Sequence, residues 1–94
     1  MSETAQKIGP DKSLLLLDDD EAFLKRLARA MEKRGFEVRT AESVEEGLAA
    51  VRDTTPAYAV IDLRLGDGNG LDVVEQIRER REDTRIVVLT GYGA

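Results

Sequence analysis

Ser13-Leu14-Leu15-Leu16-Leu17-Asp18-Asp19-Asp20 is the stretch on which the reading of the whole sequence turns. Four leucines in succession leave no polar face, so the segment reads as a strand buried on both sides, the kind found in parallel sheets. It stops abruptly at three acids. Ala57-Tyr58-Ala59-Val60-Ile61 repeats the pattern and ends at Asp62, and Ile86-Val87-Val88-Leu89 repeats it again and ends at Thr90. Phe36 to Ala41 alternates apolar and polar residues and supplies one more strand, second in chain order.

Between these strands the apolar period becomes helical. From Glu21 to Arg34, Phe23, Leu27 and Met31 recur at i, i+4 and i+8, with Leu24, Ala28 and Ala30 widening the stripe. Asp20 is a suitable N-cap, Gly35 stands where a left-handed residue closes a helix, and Lys33 and Arg34 complement the dipole. Ser43-Val44-Glu45-Glu46 matches a capping box and opens a second helix, with Val44, Leu48 and Val51 on its apolar face and Thr54-Thr55-Pro56 as its stop. The segment Leu63 to Gly70 holds three glycines and reads as a loop. A third helix starts at Leu71, with Leu71, Val74 and Ile77 on one face and Arg78, Arg80 and Arg81 at its end. The order β-α-β-α-β-α-β predicts an α/β fold, a parallel sheet covered by helices on both faces. Residues 1–12 are polar and aperiodic and are expected to be a flexible leader before a domain over 13–94.

Composition narrows the chemistry. Hydrophobic content of 41% with 35% charged residues suits one globular domain rather than a disordered segment. Fourteen basic residues against nineteen acidic give a net charge of -5, which argues against direct nucleic-acid binding. With no cysteine and no histidine, disulfides, thiolate catalysis, zinc–thiolate sites and a histidine base are all excluded. A metal held here must be a hard, oxygen-bound cation. No apolar run reaches the ~20 residues that span a bilayer, and the start of the chain lacks the pattern of a signal peptide, so a cytoplasmic protein with no membrane contact is expected.

In an open parallel sheet the carboxyl ends of the strands share one edge, where ligands bind. If the first and third strands are neighbours, Asp18, Asp19 and Asp62 converge there. Like charges that close raise one another's pKa, and a divalent cation relieves the repulsion; magnesium suits carboxylates, waters and a phosphate oxygen. Metal-bound, Asp62 can act as a carboxylate nucleophile and form an aspartyl-phosphate. Thr90 would donate its hydroxyl to a phosphoryl oxygen, and Arg64 can offer its backbone carbonyl to the metal. The plainer readings are weaker. Asp20 serves the helix start, but Asp18 and Asp19 meet Asp62 as well. Thr90 taken alone would be a turn residue. A calcium loop starting at Asp62 fails at Arg64 and Gly66, a phosphatase would want an acid where Arg64 stands, and the glycines at 66, 68 and 70 lack the spacing of a dinucleotide fingerprint. Arg26, Arg29, Lys33 and Arg34 read as a solvated helix face.

Leu14-Leu15-Leu16-Leu17-Asp18-Asp19, Val60-Ile61-Asp62-Leu63-Arg64-Leu65, Asp67-Gly68-Asn69-Gly70-Leu71 and Val88-Leu89-Thr90-Gly91 together resemble the CheY-like receiver domains of two-component response regulators. Asp18-Asp19-Asp20-Glu21, Phe23-Leu24-Lys25-Arg26-Leu27 and Glu32-Lys33-Arg34-Gly35-Phe36 narrow the likeness to redox-responding global regulators of the RegA/PrrA type. The resemblance implies a flavodoxin-like doubly wound sheet with strand order 2-1-3-4. It implies that Asp62 accepts a phosphoryl group from a sensor histidine kinase, within a transcriptional regulator. It implies that Asp19, Asp62 and the Arg64 carbonyl ligate magnesium, with Asp18 acting partly through water. Gly66 departs from the family, where a proline commonly follows the acceptor. A receiver also carries one more helix, a fifth strand with a terminal lysine and a last helix, roughly 30 residues at average element lengths; these lie beyond Ala94, so the domain is expected to be truncated. A second expectation follows from that: a fragment not competent for phosphorylation that acts by protein–protein association, with a homodimer formed through the open edge strand Ile86 to Leu89.

Overall fold

The computed structural model describes residues 10–89. Strand β1 (Ser13–Leu17) leads through helix α1 (Glu21–Lys33) to β2 (Glu37–Ala41), and α2 (Val44–Asp53) leads to β3 (Tyr58–Asp62). Two short strands follow, β4 (Arg64–Leu65) and β5 (Gly68–Asn69), then α3 (Leu71–Arg80) and β6 (Arg85–Leu89). The main sheet has the order β2-β1-β3-β6, all parallel. Counting β6 as the fourth long strand, this is the expected 2-1-3-4 order of a doubly wound α/β sheet.

Alternation along β1 divides the core. Leu15 and Leu17 face one side with Ala59, Ile61, Val44, Ala50, Val51, Val73 and Ile77, so α2 and α3 cover that face. Leu14 and Leu16 face the other with Leu24 of α1, flanked by Leu27, Met31, Phe36, Val38 and Val60. A one-residue slip would exchange the two sets. Phe36 lies just before β2 rather than in it, its ring edge-on to Tyr58 at 5.2 Å.

The helix ends follow their sequence signals. Asp20 accepts the Phe23 N–H at 3.0 Å, Ser43 Oγ accepts the Glu46 N–H at 3.1 Å, and Gly35 takes φ +100 after α1. Three helical faces differ from expectation. Leu71 is 45% exposed, and the buried pair of α3 is Val73 and Ile77, with Val74 partly buried. Leu71 is the first residue of α3, where the chain leaves the loop at the sheet's rim, and only from Val73 onward does the helix lie over the core. Ala30 is exposed on α1, and in α2 Leu48 is only partly buried whereas Ala50 is buried.

The Leu63 to Gly70 segment is not a plain loop. β4 and β5 pair antiparallel, Arg64 opposite Asn69 and Leu65 opposite Gly68. β6 bonds β3 on one side, and among the described residues no strand lies on its other side. The expected leader, residues 1–12, falls outside the described residues except for its last three.

Candidate functional site

Asp18 follows the last residue of β1 and Asp62 is the last residue of β3, and these strands are neighbours in register, Leu17 opposite Ile61. The acids therefore leave the sheet side by side. One carboxylate oxygen from each of Asp18, Asp19 and Asp62 lies within 4.8 Å of the others. They open on a cleft of about 350 Å³ that Asp20, Phe23 and Leu89 also line.

The three are not alike. Asp62 is 5% exposed, Asp18 is partly buried and Asp19 is exposed. The Arg64 N–H donates to Asp62 Oδ1 at 3.0 Å, and the Asp20 N–H donates to Asp18 Oδ1 at 2.9 Å. Burial pushes the Asp18 carboxyl up from its ordinary value, and the charges of Asp62, Asp19 and Asp20 add to that, against the Asp20 N–H bond. Such an arrangement stores repulsion until a cation or a proton relieves it.

Asp62 sits beneath a tight loop. The Leu63 N–H donates to Leu89 O at 2.9 Å and the Gly70 N–H to Leu63 O at 3.0 Å. A Cβ on Gly70 would lie 2.2 Å from the Asp62 carbonyl oxygen, so only glycine admits the approach. Arg64 begins β4, two residues past Asp62. Thr90, the other expected site residue, lies outside the described residues.

Asp67 was not among the expected site residues. Its carboxylate accepts the Val44 N–H at 2.9 Å and the Glu45 N–H at 3.2 Å, joining the loop after Asp62 to the first turn of α2. These bonds hold its carboxyl below the usual carboxylate range. The capping box at Ser43 shows that a helix starts there, but nothing local shows that an acceptor arrives from the loop beyond Asp62.

The three carboxylates offer only oxygen donors, which fits a hard divalent cation. Among the described residues no helix is long and apolar enough to cross a membrane.

Residues 14–94 match the response regulator receiver domain family. The acid tolerance regulatory protein ActR of Sinorhizobium medicae is 70% identical over 89 residues, 95% of this chain and 46% of that protein. The photosynthetic apparatus regulatory protein RegA of Cereibacter sphaeroides is 72% identical over 88 residues, 94% of this chain and 48% of that protein. The chain thus spans about half the length of these relatives. A crystal structure of a response regulator from Burkholderia pseudomallei, with a phosphorylated aspartic acid, a calcium ion and citrate, superposes at a TM-score of 0.82 with 38% identity, over 89% of this chain and 49% of that one.

Proposed function

The chain belongs to the family of response regulator receiver domains, signalling modules of two-component systems, and on that premise we propose that Asp62 is its phosphoryl acceptor. The convergence of Asp18, Asp19 and Asp62 within 4.8 Å at the ends of neighbouring strands carries the reading. Asp19, Asp62 and the Arg64 carbonyl would hold magnesium, with Asp18 partly through water. When bound, magnesium supplies positive charge against the charge on the phosphoryl oxygens.

The Arg64 N–H holds Asp62 Oδ1, leaving Oδ2 to attack phosphorus. The donor would be a phosphohistidine on a sensor histidine kinase, met in the cytoplasm. Its P–N bond breaks with the electron pair passing to the imidazole, and a P–O bond forms, giving an acyl phosphate. Thr90, next in sequence after Leu89, would donate its hydroxyl to a phosphoryl oxygen. Regulation of transcription is proposed for the whole protein on the strength of its regulatory relatives. A net charge of -5 supports a receiver without nucleic-acid contact of its own.

Incubation with magnesium and acetyl phosphate, followed by intact-mass measurement, tests this directly. One phosphoryl adduct is expected, absent in Asp62→Asn; an adduct that persists in the variant would place the acceptor elsewhere.

A second reading has its own support. Val87 and Val88 are 56% and 41% exposed on β6. Apolar side chains on a strand that, among the described residues, is paired on one side only favour pairing with a second copy. Sedimentation over a range of concentrations should show a dimer; a compact monomer throughout would exclude this association.

A further inference from the structure

The hairpin that follows Asp62 is too small to hold its own shape. β4 and β5 contribute two residues each, and a two-stranded hairpin in water is marginal even when longer. Two things anchor it. Leu65 is buried in the same core cluster as Val44, and Asp67 bridges the Val44 and Glu45 N–H groups. Those N–H groups are among the donors that a helix start leaves without intrahelical partners. α2 already has its own cap, since Ser43 Oγ accepts the Glu46 N–H and Glu46 Oε1 accepts the Glu42 N–H. Asp67 is thus an additional acceptor, reaching the helix from the loop. The other end of the hairpin touches the acid cluster, because the Arg64 N–H donates to Asp62 Oδ1.

We propose that Asp67 is a positioning residue for the phosphoryl-accepting site. By its bonds to Val44 and Glu45 it holds the Leu63 to Gly70 hairpin against α2, and so fixes Arg64 against the Asp62 carboxylate. The inference rests on the reading of Asp62 as acceptor and of its neighbours as cation ligands. It gives α2, which contributes no acid to the cluster, a direct mechanical connection to it.

Three variants separate positioning from plain stabilisation. Asp67→Ala removes both acceptors, Asp67→Asn keeps one acceptor oxygen, and Ser43→Ala removes the helix's own cap without touching the hairpin. Each is checked for folding by circular dichroism, then compared with the parent chain in magnesium affinity by calorimetry, adduct formation from acetyl phosphate, and melting temperature without metal. Asp67→Ala is expected to weaken magnesium binding roughly tenfold, the lower end for groups that orient a metal's ligands. Adduct formation should slow with it, and Asp67→Asn should fall between. Ser43→Ala should lower the melting temperature and leave magnesium affinity unchanged. Parental affinity and adduct rate in Asp67→Ala, or an equal loss in Ser43→Ala, would overturn the proposal. If Asp67→Ala does not fold, parental behaviour of Asp67→Asn in both measurements would overturn it as well. A parent chain that takes up neither magnesium nor phosphoryl group refutes the acceptor reading, and this inference with it.

Discussion

The two ends of the parallel sheet treat the same residue type in opposite ways. At the carboxyl end one carboxylate oxygen each of Asp18, Asp19 and Asp62 lies within 4.8 Å of the others, and the Asp18 carboxyl is pushed up. At the amino end Asp11 accepts from the Arg81 guanidinium at 2.7 Å and from the Ser13 N–H and hydroxyl at 3.0 and 2.7 Å. Its carboxyl is lowered to about 2, chiefly by Arg81 and then by Ser13. The surrounding polar groups there are also satisfied. Thr84, buried, donates its hydroxyl to Pro56 O at 2.7 Å, and the Ala57 N–H donates to Ser13 Oγ at 2.9 Å. One end closes the fold with opposite charges; the other gathers like charges where a ligand can balance them. A site that binds a cation and a phosphoryl group must forgo the internal pairing that would stabilise the empty protein.

The largest effect should come from crowding the carboxyl end. Gly70→Ala drives a Cβ onto the Asp62 backbone, and is expected to cost about 3 kcal/mol or more of stability and to abolish the adduct. Chemical denaturation checks the first; a variant as stable as its parent would mean that the close approach is not tightly held.

Charge neutralisation should then give opposite signs at the two ends. Without metal, Asp62→Asn is expected to stabilise the chain by on the order of 1 kcal/mol, because it removes one of three like charges whose oxygens lie within 4.8 Å of one another. Asp11→Asn should destabilise it by roughly 0.5–1 kcal/mol, since the ion pair is partly exposed and screened by solvent. Thermal melts of both variants decide this. Equal signs would remove the contrast between the ends.

The smallest effect should be the shape of the acid limb. Asp18 has a raised folded pKa, so its ionised form is penalised at neutral pH and stability is gained as pH falls through that raised value. Asp11 has a lowered folded pKa, so its contribution is complete above the unfolded value of 3.8 and is lost as pH falls from there through about 2. Stability followed against pH without metal should therefore flatten above 3.8 in Asp18→Asn and below it in Asp11→Asn. Saturating magnesium should abolish the Asp18 contribution and leave that of Asp11 unchanged.

Much of this was legible in the residues. Leu14 to Leu17 and Ala57 to Ile61 can only be strands buried on both faces, and the acids that end them must then share an edge if the strands adjoin. The helix caps at Asp20 and Ser43 follow from patterns within a few residues, the strand order came from the family resemblance, and the three-acid convergence follows once that order makes β1 and β3 neighbours. The hairpin of β4 and β5 did not, because two rungs across a glycine-rich segment leave no period to read. On α3 Leu71 stands off the buried face, since periodicity says which residues align but not where along its length a helix meets the sheet.

By itself the sequence determined the three helices, the four long strands with their parallel arrangement, and the chemical type of the site, because burial patterns and the absence of histidine and cysteine act residue by residue. Only the tertiary structure decided the partners of Asp11 and Asp67. Asp11 meets Arg81 across 70 residues and Asp67 meets Val44 across 23. Both bonds depend on the alignment that the β2-β1-β3-β6 sheet creates once the leucine core has formed. Hydrophobic burial is non-directional and so follows from composition and spacing; a hydrogen bond needs its donor and acceptor within about 3 Å, which only the assembled sheet can arrange.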